Sequence, residues 1–402
     1  MMVNESRHSR AHFDLPLVIM VFAMAAFGVL SVSVATFSVS SSTEDTLLNY
    51  IVSSYYGMRQ AIFLMISPII IGVVTYVISY DFVRRRAILF YYAACGLLAV
   101  TLITNQAQGV KAWTDLIWGY TIQPSEFVKL ACIIVIAKHL ETETDPLSNM
   151  RSWIRLGVLM AIPWGLTLLQ GEMGSVLVMI FVFGIMMFFG GLRIKIMFAI
   201  IAAGVSGIAL LYGYMVASGS SNYRLERILS FVNPALVDES ATYQVNNSKI
   251  AIGSGGLTGR GTFVQGAFSQ LDYVPEDWTD FIFSTIGEAF GFIGCALVIL
   301  GYLLILLRML HLARYTLDRF GQMIIIGVMA MLLFHVFENV GMTTGLMPVT
   351  GIPLPFLSYG GSNMVTNMIG IGMVLNVTKN RSVTTMPGIT PQTQTSRKWS
   401  MR

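Results

Sequence analysis

Charged residues are scarce in this sequence, and their scarcity decides its class. Asp, Glu, Lys and Arg make up 11% of the 402 residues, against about 25% in a typical soluble protein. Hydrophobic residues make up 55%, and the mean hydropathy is +0.69. This composition excludes an ordinary soluble enzyme and predicts a polytopic membrane protein.

Cysteine is also rare. Cys95, Cys132 and Cys295 all fall in long apolar stretches, so we expect neither a disulfide framework nor a zinc site. A cleavable signal peptide is not evident, because the first apolar stretch is too long and lacks a small-residue cleavage site. We therefore expect that stretch to remain as an uncleaved anchor.

Long apolar stretches divide the chain into ten candidate spanning helices, since about 18–20 apolar residues cross a bilayer as a helix. The fourth is the weakest, because it carries Lys129 and Lys138. The ten stretches cover residues 15–38, 61–80, 87–104, 125–140, 156–171, 173–192, 196–222, 281–307, 322–337 and 359–378. We predict an all-α membrane domain over residues 14–378, between a polar tail, 1–13, and a disordered tail, 379–402.

The basic residues predict how this domain is oriented. Ten spans place both tails on one side, and the tails and the loops on that side hold 18 Lys and Arg residues, counting Lys138 at that end of span four. The opposite side holds six: Arg59, Lys111, Arg224, Arg227, Lys249 and Arg260. Because basic residues collect on the cytoplasmic side, both termini are expected there. The large insert between helices 7 and 8, residues 218–279, then faces outside, and no histidine lies in the outer loops.

A second outer segment, Val340 to Ser358, carries no charge and contains Pro348, Pro353 and Pro355. It is too long for a tight turn and too apolar for an ordinary surface loop. Irregular backbone at membrane depth survives only against protein or a cavity. We therefore expect this segment to dip back towards the membrane and, with the insert, to form a site at the outer surface.

Asp280 is the first candidate for chemistry, since it ends the run VPEDWTD and precedes the apolar run FIFSTIG. One reading is a helix N-cap, where Asp accepts backbone N–H bonds. The other is a general base at the boundary between water and lipid. Glu276 and Asp277 add acidity nearby, and three acids in five residues can also hold a divalent cation through oxygen ligands.

Further ionisable residues fall inside or beside the spans, where they are costly and usually functional or paired. Glu288 lies in span eight, and Glu338 and Asn339 lie at the outer end of span nine; a single buried hydrogen bond is the alternative for each. Glu126 and Lys129 share one helix face at i, i+3 spacing. They form either a shielded ion pair or a site in which Lys129 meets an anionic head group while Glu126 orients it.

The outer insert is unusually basic for its side of the membrane. Four residues, Arg224, Arg227, Lys249 and Arg260, suggest an anionic ligand such as a lipid phosphate. The glycine cluster of residues 250–261 offers backbone amides that can approach such a phosphate. Three aromatic residues, Trp113, Trp118 and Tyr120, precede span four. Such residues often anchor a helix at the membrane interface, and we favour this interpretation for Trp118 and Tyr120.

Four long motifs, residues 109–130, 243–261, 273–294 and 339–377, resemble the SEDS (shape, elongation, division, sporulation) proteins over the whole membrane domain. The Gly-Met after Asn339-Val340 and the GIPLPF run resemble the RodA elongation branch more than the FtsW division branch. The resemblance implies a peptidoglycan glycosyltransferase of the bacterial inner membrane, with its active site outside. It would polymerise lipid II for cell elongation and rod shape, beside a class B penicillin-binding protein and other elongation machinery.

The resemblance also implies roles for single residues. The acid of the family's TDFIF motif corresponds to Asp280, which would be the general base of an inverting transfer. For substrate binding the resemblance implies Trp113, Glu126, Lys129 and Ser358. Charge and position in the sequence add Glu276, Glu288 and the outer basic residues Lys111, Arg224, Arg227, Lys249 and Arg260. Ala112 departs from the family's usual Arg, with Lys111 one place earlier.

The residues leave the cofactor and two other functions open. No cofactor is required by the pattern, and a divalent cation such as Mg²⁺ or Mn²⁺ would assist departure of the diphosphate. A lipid II transporter would instead use Lys129, Glu288 and Glu338 to line a path. A non-catalytic scaffold for the penicillin-binding protein would make Asp280 a dispensable cap.

Overall fold

The computed structural model describes residues 13–37, 47–104, 114–115, 121–142, 150–198, 202, 206, 239–264, 266–271 and 273–380. Nearly all of the two predicted tails, most of predicted span seven and residues 218–238 of the insert lie outside the described residues. So do four predicted ligand residues, Lys111, Trp113, Arg224 and Arg227.

The described chain is mainly α-helical, as its composition predicts. Its helices are α1 (Leu15–Ala35), α2 (Leu47–Ser53), α3 (Tyr55–Gly72), α4 (Tyr80–Arg85), α5 (Ala87–Thr104), α6 (Pro124–Thr142), α7 (Met150–Gln170), α8 (Met173–Phe189), α9 (Glu239–Ser254), α10 (Ile282–Arg314), α11 (Arg319–Thr343) and α12 (Gly361–Asn380). A π-helical turn, Val73–Val77, continues α3. Two short strands, β1 (Thr114–Asp115) and β2 (Thr121–Ile122), pair antiparallel just before α6.

Among the described residues, four helical segments are long and apolar enough to cross a membrane: Leu15–Ala35, Tyr55–Val77, Ile282–Arg314 and Arg319–Thr343. Shorter apolar helices cover Ala87–Ile103, Ile154–Gln170 and Met173–Phe189. Helices α6 and α12 coincide with predicted spans four and ten. Nine of the ten predicted spans thus correspond to helices in the described part of the chain, and the predicted all-α membrane fold is confirmed.

The bundle has two ends. We call the end where α1 finishes and α3 begins the loop face, and the opposite end, where α1 begins and α12 finishes, the terminus face. Thr36 and Ser54 share a hydrogen bond on the loop face. On the terminus face Arg308 of α10 pairs with Asp14, which caps α1. Predicted topology makes the loop face the outer one.

Helix α11 lies at the centre of the bundle. Helices α6, α8, α10 and α12 all pack against it. Its apolar residues lie on all sides between Phe320 and Leu332, and nearly all of them are buried. A helix that is apolar all round is stable either among other helices or in lipid, and here the burial of its residues shows that other helices cover it. Polar residues on its last turns therefore face other helices and loops, not lipid.

The segment after α11, residues 344–360, returns into the bundle, and we call it the re-entrant loop. Leu354, Phe356, Leu357 and Ser358 are fully buried. A Cβ on Gly28 would lie 2.3 Å from the carbonyl oxygen of Phe356. Gly28 stands seven residues before the end of α1, about 10 Å below the loop face at 1.5 Å per residue. The predicted dip towards the membrane is confirmed.

Candidate functional site

Asp280 lies on the loop face, in the turn that leads into α10. Its carboxylate oxygen Oδ2 is 3.1 Å from the position a Cβ would take on Gly351 of the re-entrant loop. Two amides of α9 support the turn, since Gln244 donates to the carbonyl of Pro275 and Asn247 to that of Tyr273. The N-cap position of α10 belongs to Phe281. The N-cap interpretation of Asp280 is therefore wrong, and its carboxylate faces the loop.

Asn339 fixes the position of Asp280 against that loop. Its side-chain amide donates to the backbone carbonyl of Asp280 at 2.7 Å and to that of Ile352 at 2.8 Å. The side chain is fully buried near the end of α11. One amide thus joins α11, the start of α10 and the re-entrant loop. The sequence identifies Asn339 as a polar residue near the end of a span. It does not predict the two partners of Asn339, because they are distant from it in the chain.

Glu338, the preceding residue, also bonds the re-entrant loop. Its Oε1 accepts a hydrogen bond from Thr350 Oγ1 at 2.9 Å. Its Oε2 is buried and has no hydrogen-bond partner among the described residues. The carbonyl of Thr350 in turn lies 2.9 Å from the position of a Cβ on Gly174, in the first turn of α8. The loop is therefore clamped between α11 and α8.

Glu172 precedes α8 and extends the site towards α6. The side-chain amide of Gln123, just before α6, donates to Glu172 Oε1. The backbone N–H of Gln123 donates to Ser362 Oγ at the start of α12, at 3.0 Å. Burial raises the pKa of Glu172, and the Glu126 carboxylate adds to the rise; the hydrogen bond from Gln123 and the Lys129 ammonium oppose it. Glu172, Glu126 and Lys129 therefore share one electrostatic environment.

Lys129 lies in the second turn of α6, below Gln123. Its Nζ is 2.8 Å from Glu126 Oε1 and 3.0 Å from His335 Nε2 of α11. The exposed fractions of the three residues are 2%, 3% and 1%, so water does not screen the pair. The predicted i, i+3 ion pair is observed. His335 was not predicted as its neighbour, because it belongs to a helix 206 residues later.

These contacts join into one continuous site. Asp280 lies beside Gly351 of the re-entrant loop, and Asn339 and Glu338 of α11 bond the Asp280 turn and that loop. His335, four residues before Asn339 on the same helix, contacts Lys129. A carboxylate in the turn entering a helix and a buried ammonium connected to that turn through α11 suit a reaction that removes a proton and stabilises a leaving anion.

The family model of the FtsW/RodA/SpoVE cell cycle proteins matches residues 15–383. The chain belongs to this family. Among curated relatives it is 32% identical over 382 residues to "Probable peptidoglycan glycosyltransferase FtsW" of Trichlorobacter lovleyi, covering 94% of this chain and 96% of that protein. It is also 32% identical over 297 residues to "Peptidoglycan glycosyltransferase MrdB" of Escherichia coli, covering 73% and 78%.

A solved structure is similar along almost the whole length. It comes from work on "structural coordination of polymerization and crosslinking by a peptidoglycan synthase complex". The TM-score is 0.71 at 27% identity, covering 92% of this chain and 98% of that one. Family membership and the apolar helices together make the chain a multi-pass membrane protein. FtsW and MrdB relatives match at the same identity, so similarity does not select one branch of the family.

Two of the residues predicted to bind substrate instead accept hydrogen bonds from the backbone of loops. Glu288 is buried in α10 and accepts hydrogen bonds from the N–H groups of Phe268 and Ser269, at 2.7 and 3.1 Å, and from Ser269 Oγ. Ser358 Oγ accepts the N–H of Leu354 at 2.7 Å. Because backbone donors already use these oxygens, we assign both residues to holding the insert and the re-entrant loop rather than to substrate.

The glycine cluster packs against α10 instead of standing open to a phosphate. The N–H groups of Arg260 and Gly261 donate to the carbonyls of Glu288 and Ala289, at 2.9 and 3.1 Å. Arg260 Nη1 also lies 3.6 Å from Glu288 Oε1, and 44% of its side chain is exposed. These two amides are therefore not available to a phosphate, while the guanidinium remains accessible.

The remaining predicted residues border the site. Lys249 of α9 is exposed, and its Nζ lies 2.7 Å from the position of a Cβ on Gly345, where the re-entrant loop begins. Glu276 is exposed and accepts from Thr279 Oγ1 at 3.0 Å, whereas Asp277 is 1% exposed and accepts from Thr285 Oγ1 at 3.3 Å. These acids point apart. Within the described residues no three acidic, Cys or His side chains are grouped to hold a metal ion, so the predicted three-acid cation cluster is not formed.

Replacing Glu172 with Gln is expected to stabilise the protein at alkaline pH but not near pH 4.5. Because burial raises the pKa of Glu172 above its ordinary value of 4.5, the folded state binds the proton more tightly than the unfolded state. Stability is then lost as pH rises from 4.5 through the raised pKa. Gln keeps an acceptor for Gln123 and carries no charge.

The measurement is the melting temperature of the variant minus that of the native protein, recorded in detergent at a series of pH values. The difference should be near zero at about pH 4.5 and positive once Glu172 ionises in the folded state. Asp81→Asn, a change of an exposed acid on the terminus face, serves as the control. A Glu172→Gln difference that stays constant across this series would contradict the assignment.

Proposed function

We propose that this protein is a peptidoglycan glycosyltransferase that polymerises lipid II at the outer leaflet of the bacterial inner membrane. The observation that carries the proposal is that one helix, α11, connects Asp280 and Lys129: Asn339 bonds the Asp280 turn, and His335 contacts the Lys129 ammonium. The names of its FtsW and MrdB relatives support the same activity. The loop face would be the outer face, in keeping with the excess of Lys and Arg in the tails and in the loops on their side.

In the proposed step, Asp280 removes the proton from the 4-hydroxyl of one lipid-linked disaccharide. The oxygen attacks the anomeric carbon of the second lipid-linked chain and forms the new glycosidic bond. The bond from that carbon to the polyprenyl diphosphate breaks, and the diphosphate leaves with the electron pair. Attack opposite the leaving group inverts the anomeric centre. Lys129 and the accessible outer cations stabilise the diphosphate as its charge develops.

A membrane-embedded polymerase suits a substrate whose hydrocarbon tail stays in the bilayer. We further propose a class B penicillin-binding protein as partner and cell elongation as the role. The partner is supported by the similar structure from work on a peptidoglycan synthase complex. The elongation role is supported by the GIPLPF run of residues 351–356, which resembles the RodA branch.

The test is to incubate the purified full-length protein, with a class B penicillin-binding partner, with lipid II and to separate the products on a gel. A ladder of glycan strands that requires this protein is expected, and the partner alone is the control. Lipid II that stays intact in the presence of both the folded protein and its partner would contradict the proposal. Transport is distinguished in vesicles, where labelled lipid II would change leaflet without forming polymer.

A further inference from the structure

The buried ammonium of Lys129 needs more than one acceptor. An isolated charge is costly to bury unless it is paired and hydrogen-bonded. An ammonium has three N–H donors. Glu126 Oε1 takes one at 2.8 Å and His335 Nε2 faces another at 3.0 Å. Among the described residues these two are the partners of the ammonium, which leaves one N–H for a ligand.

The tautomer of His335 follows from its second contact. Nδ1 of His335 lies 2.7 Å from the carbonyl oxygen of Met331, four residues earlier in α11. A carbonyl only accepts, so Nδ1 carries the proton. A proton on Nε2 as well would make the ring a cation against the Lys129 ammonium in a site that excludes water. Nε2 is therefore the bare nitrogen, and it accepts from Lys129.

We propose that His335 is a positioning residue that holds the Lys129 ammonium in place through Nε2. The two acceptors come from different helices, Glu126 from α6 itself and His335 from α11. Glu126 alone would let the flexible lysine chain swing about one contact. With His335, the ammonium is held between α6 and α11. At the loop-face ends of these two helices, Gln123 and Asn339 bond the other parts of the site. The third N–H is then directed by two fixed partners.

This inference rests on the proposed function, in which Lys129 stabilises the departing diphosphate. A misplaced ammonium would weaken an interaction that strengthens in the transition state, so the loss should appear in kcat and not in KM. Removing the acceptor is expected to lower kcat by about 10- to 100-fold, the range for losing one hydrogen bond to a charged group. The change in KM for lipid II should stay below about threefold.

Two amide substitutions separate an acceptor from mere packing. In His335→Gln the amide oxygen reaches the place of Nε2 and still accepts from Lys129, so kcat should remain within about threefold of native. In His335→Asn the shorter amide reaches the place of Nδ1 and bonds Met331, but Lys129 loses its acceptor. His335→Asn should therefore show the full loss in kcat while its melting temperature stays close to that of His335→Gln.

His311→Asn is the matched control, because His311 is exposed on the last turns of α10 and packs on Tyr315 at the terminus face. It should polymerise lipid II at the native rate. Equal activity in His335→Gln and His335→Asn, whether both are native-like or both impaired, would overturn the inference. A loss confined to KM would overturn it too. If the native protein itself formed no polymer, the proposed function would fail instead, which makes the two failures distinguishable.

Discussion

Asp280→Asn is expected to abolish polymerisation of lipid II, lowering the rate by about 10²–10⁴-fold, the usual contribution of a general base. Asn has the shape of Asp but cannot take a proton at neutral pH. The backbone carbonyl of residue 280 stays bonded to Asn339 in the variant, because that contact does not involve the exchanged group. The loss therefore reports basicity and not displacement of the turn.

The measurement is the initial rate of glycan formation by the purified complex with its penicillin-binding partner, together with the melting temperature of each protein. Asp81→Asn makes the same chemical change at an exposed site on the terminus face and should polymerise at the native rate. A native-like rate in Asp280→Asn would remove Asp280 as the base. Polymer from the native protein would still establish the enzyme, so the result would redirect the search to another acid of the loop face.

Hydropathy and charge were sufficient to predict the helical bundle, because a bilayer requires long uncharged helices whatever their partners. They predicted helix ends less well. The uncharged window in span nine stops at Phe337, but α11 continues to Thr343. Glu338 and Asn339 remain helical because they find Thr350, Asp280 and Ile352 as partners. The periodicity of the sequence does not predict these partners.

The site was predicted where its residues are close in sequence and missed where they are not. Glu126 and Lys129 were paired correctly, because i, i+3 spacing places them on one face of a helix. His335 joins them only because α6 and α11 pack side by side. The glycine cluster was given a phosphate role, yet the amides of Arg260 and Gly261 bond the carbonyls of α10. Local sequence does not distinguish a backbone amide that is available to a ligand from one that is already hydrogen-bonded to a neighbouring helix.

The packing of that cluster depends on a break in α10. Gly291 has φ 64° and ψ −161°, a conformation that only glycine adopts readily. Because the helix is broken there, the N–H groups of Phe292 and Ile293 donate to the carbonyls of Gly256 and Leu257, at 2.9 and 3.1 Å. A Cβ on Gly291 would lie 2.4 Å from the backbone nitrogen of Gly259. The break and the insert therefore fit each other without room for a side chain.

Gly291→Ala is accordingly expected to destabilise the protein by about 2–6 kcal/mol, since backbone strain and overpacking each cost about 1–3 kcal/mol. Either the insert leaves α10 or α10 straightens, and both outcomes move the turn that carries Asp280, so polymerisation should fall with stability. Gly184→Ala in α8 is the control, because a Cβ there meets nothing within 4 Å and alanine favours a helix over glycine. Its melting temperature should equal or exceed the native value. If Gly291→Ala melted like Gly184→Ala and kept its activity, the fit between the glycine cluster and α10 would not be what holds the Asp280 turn in place.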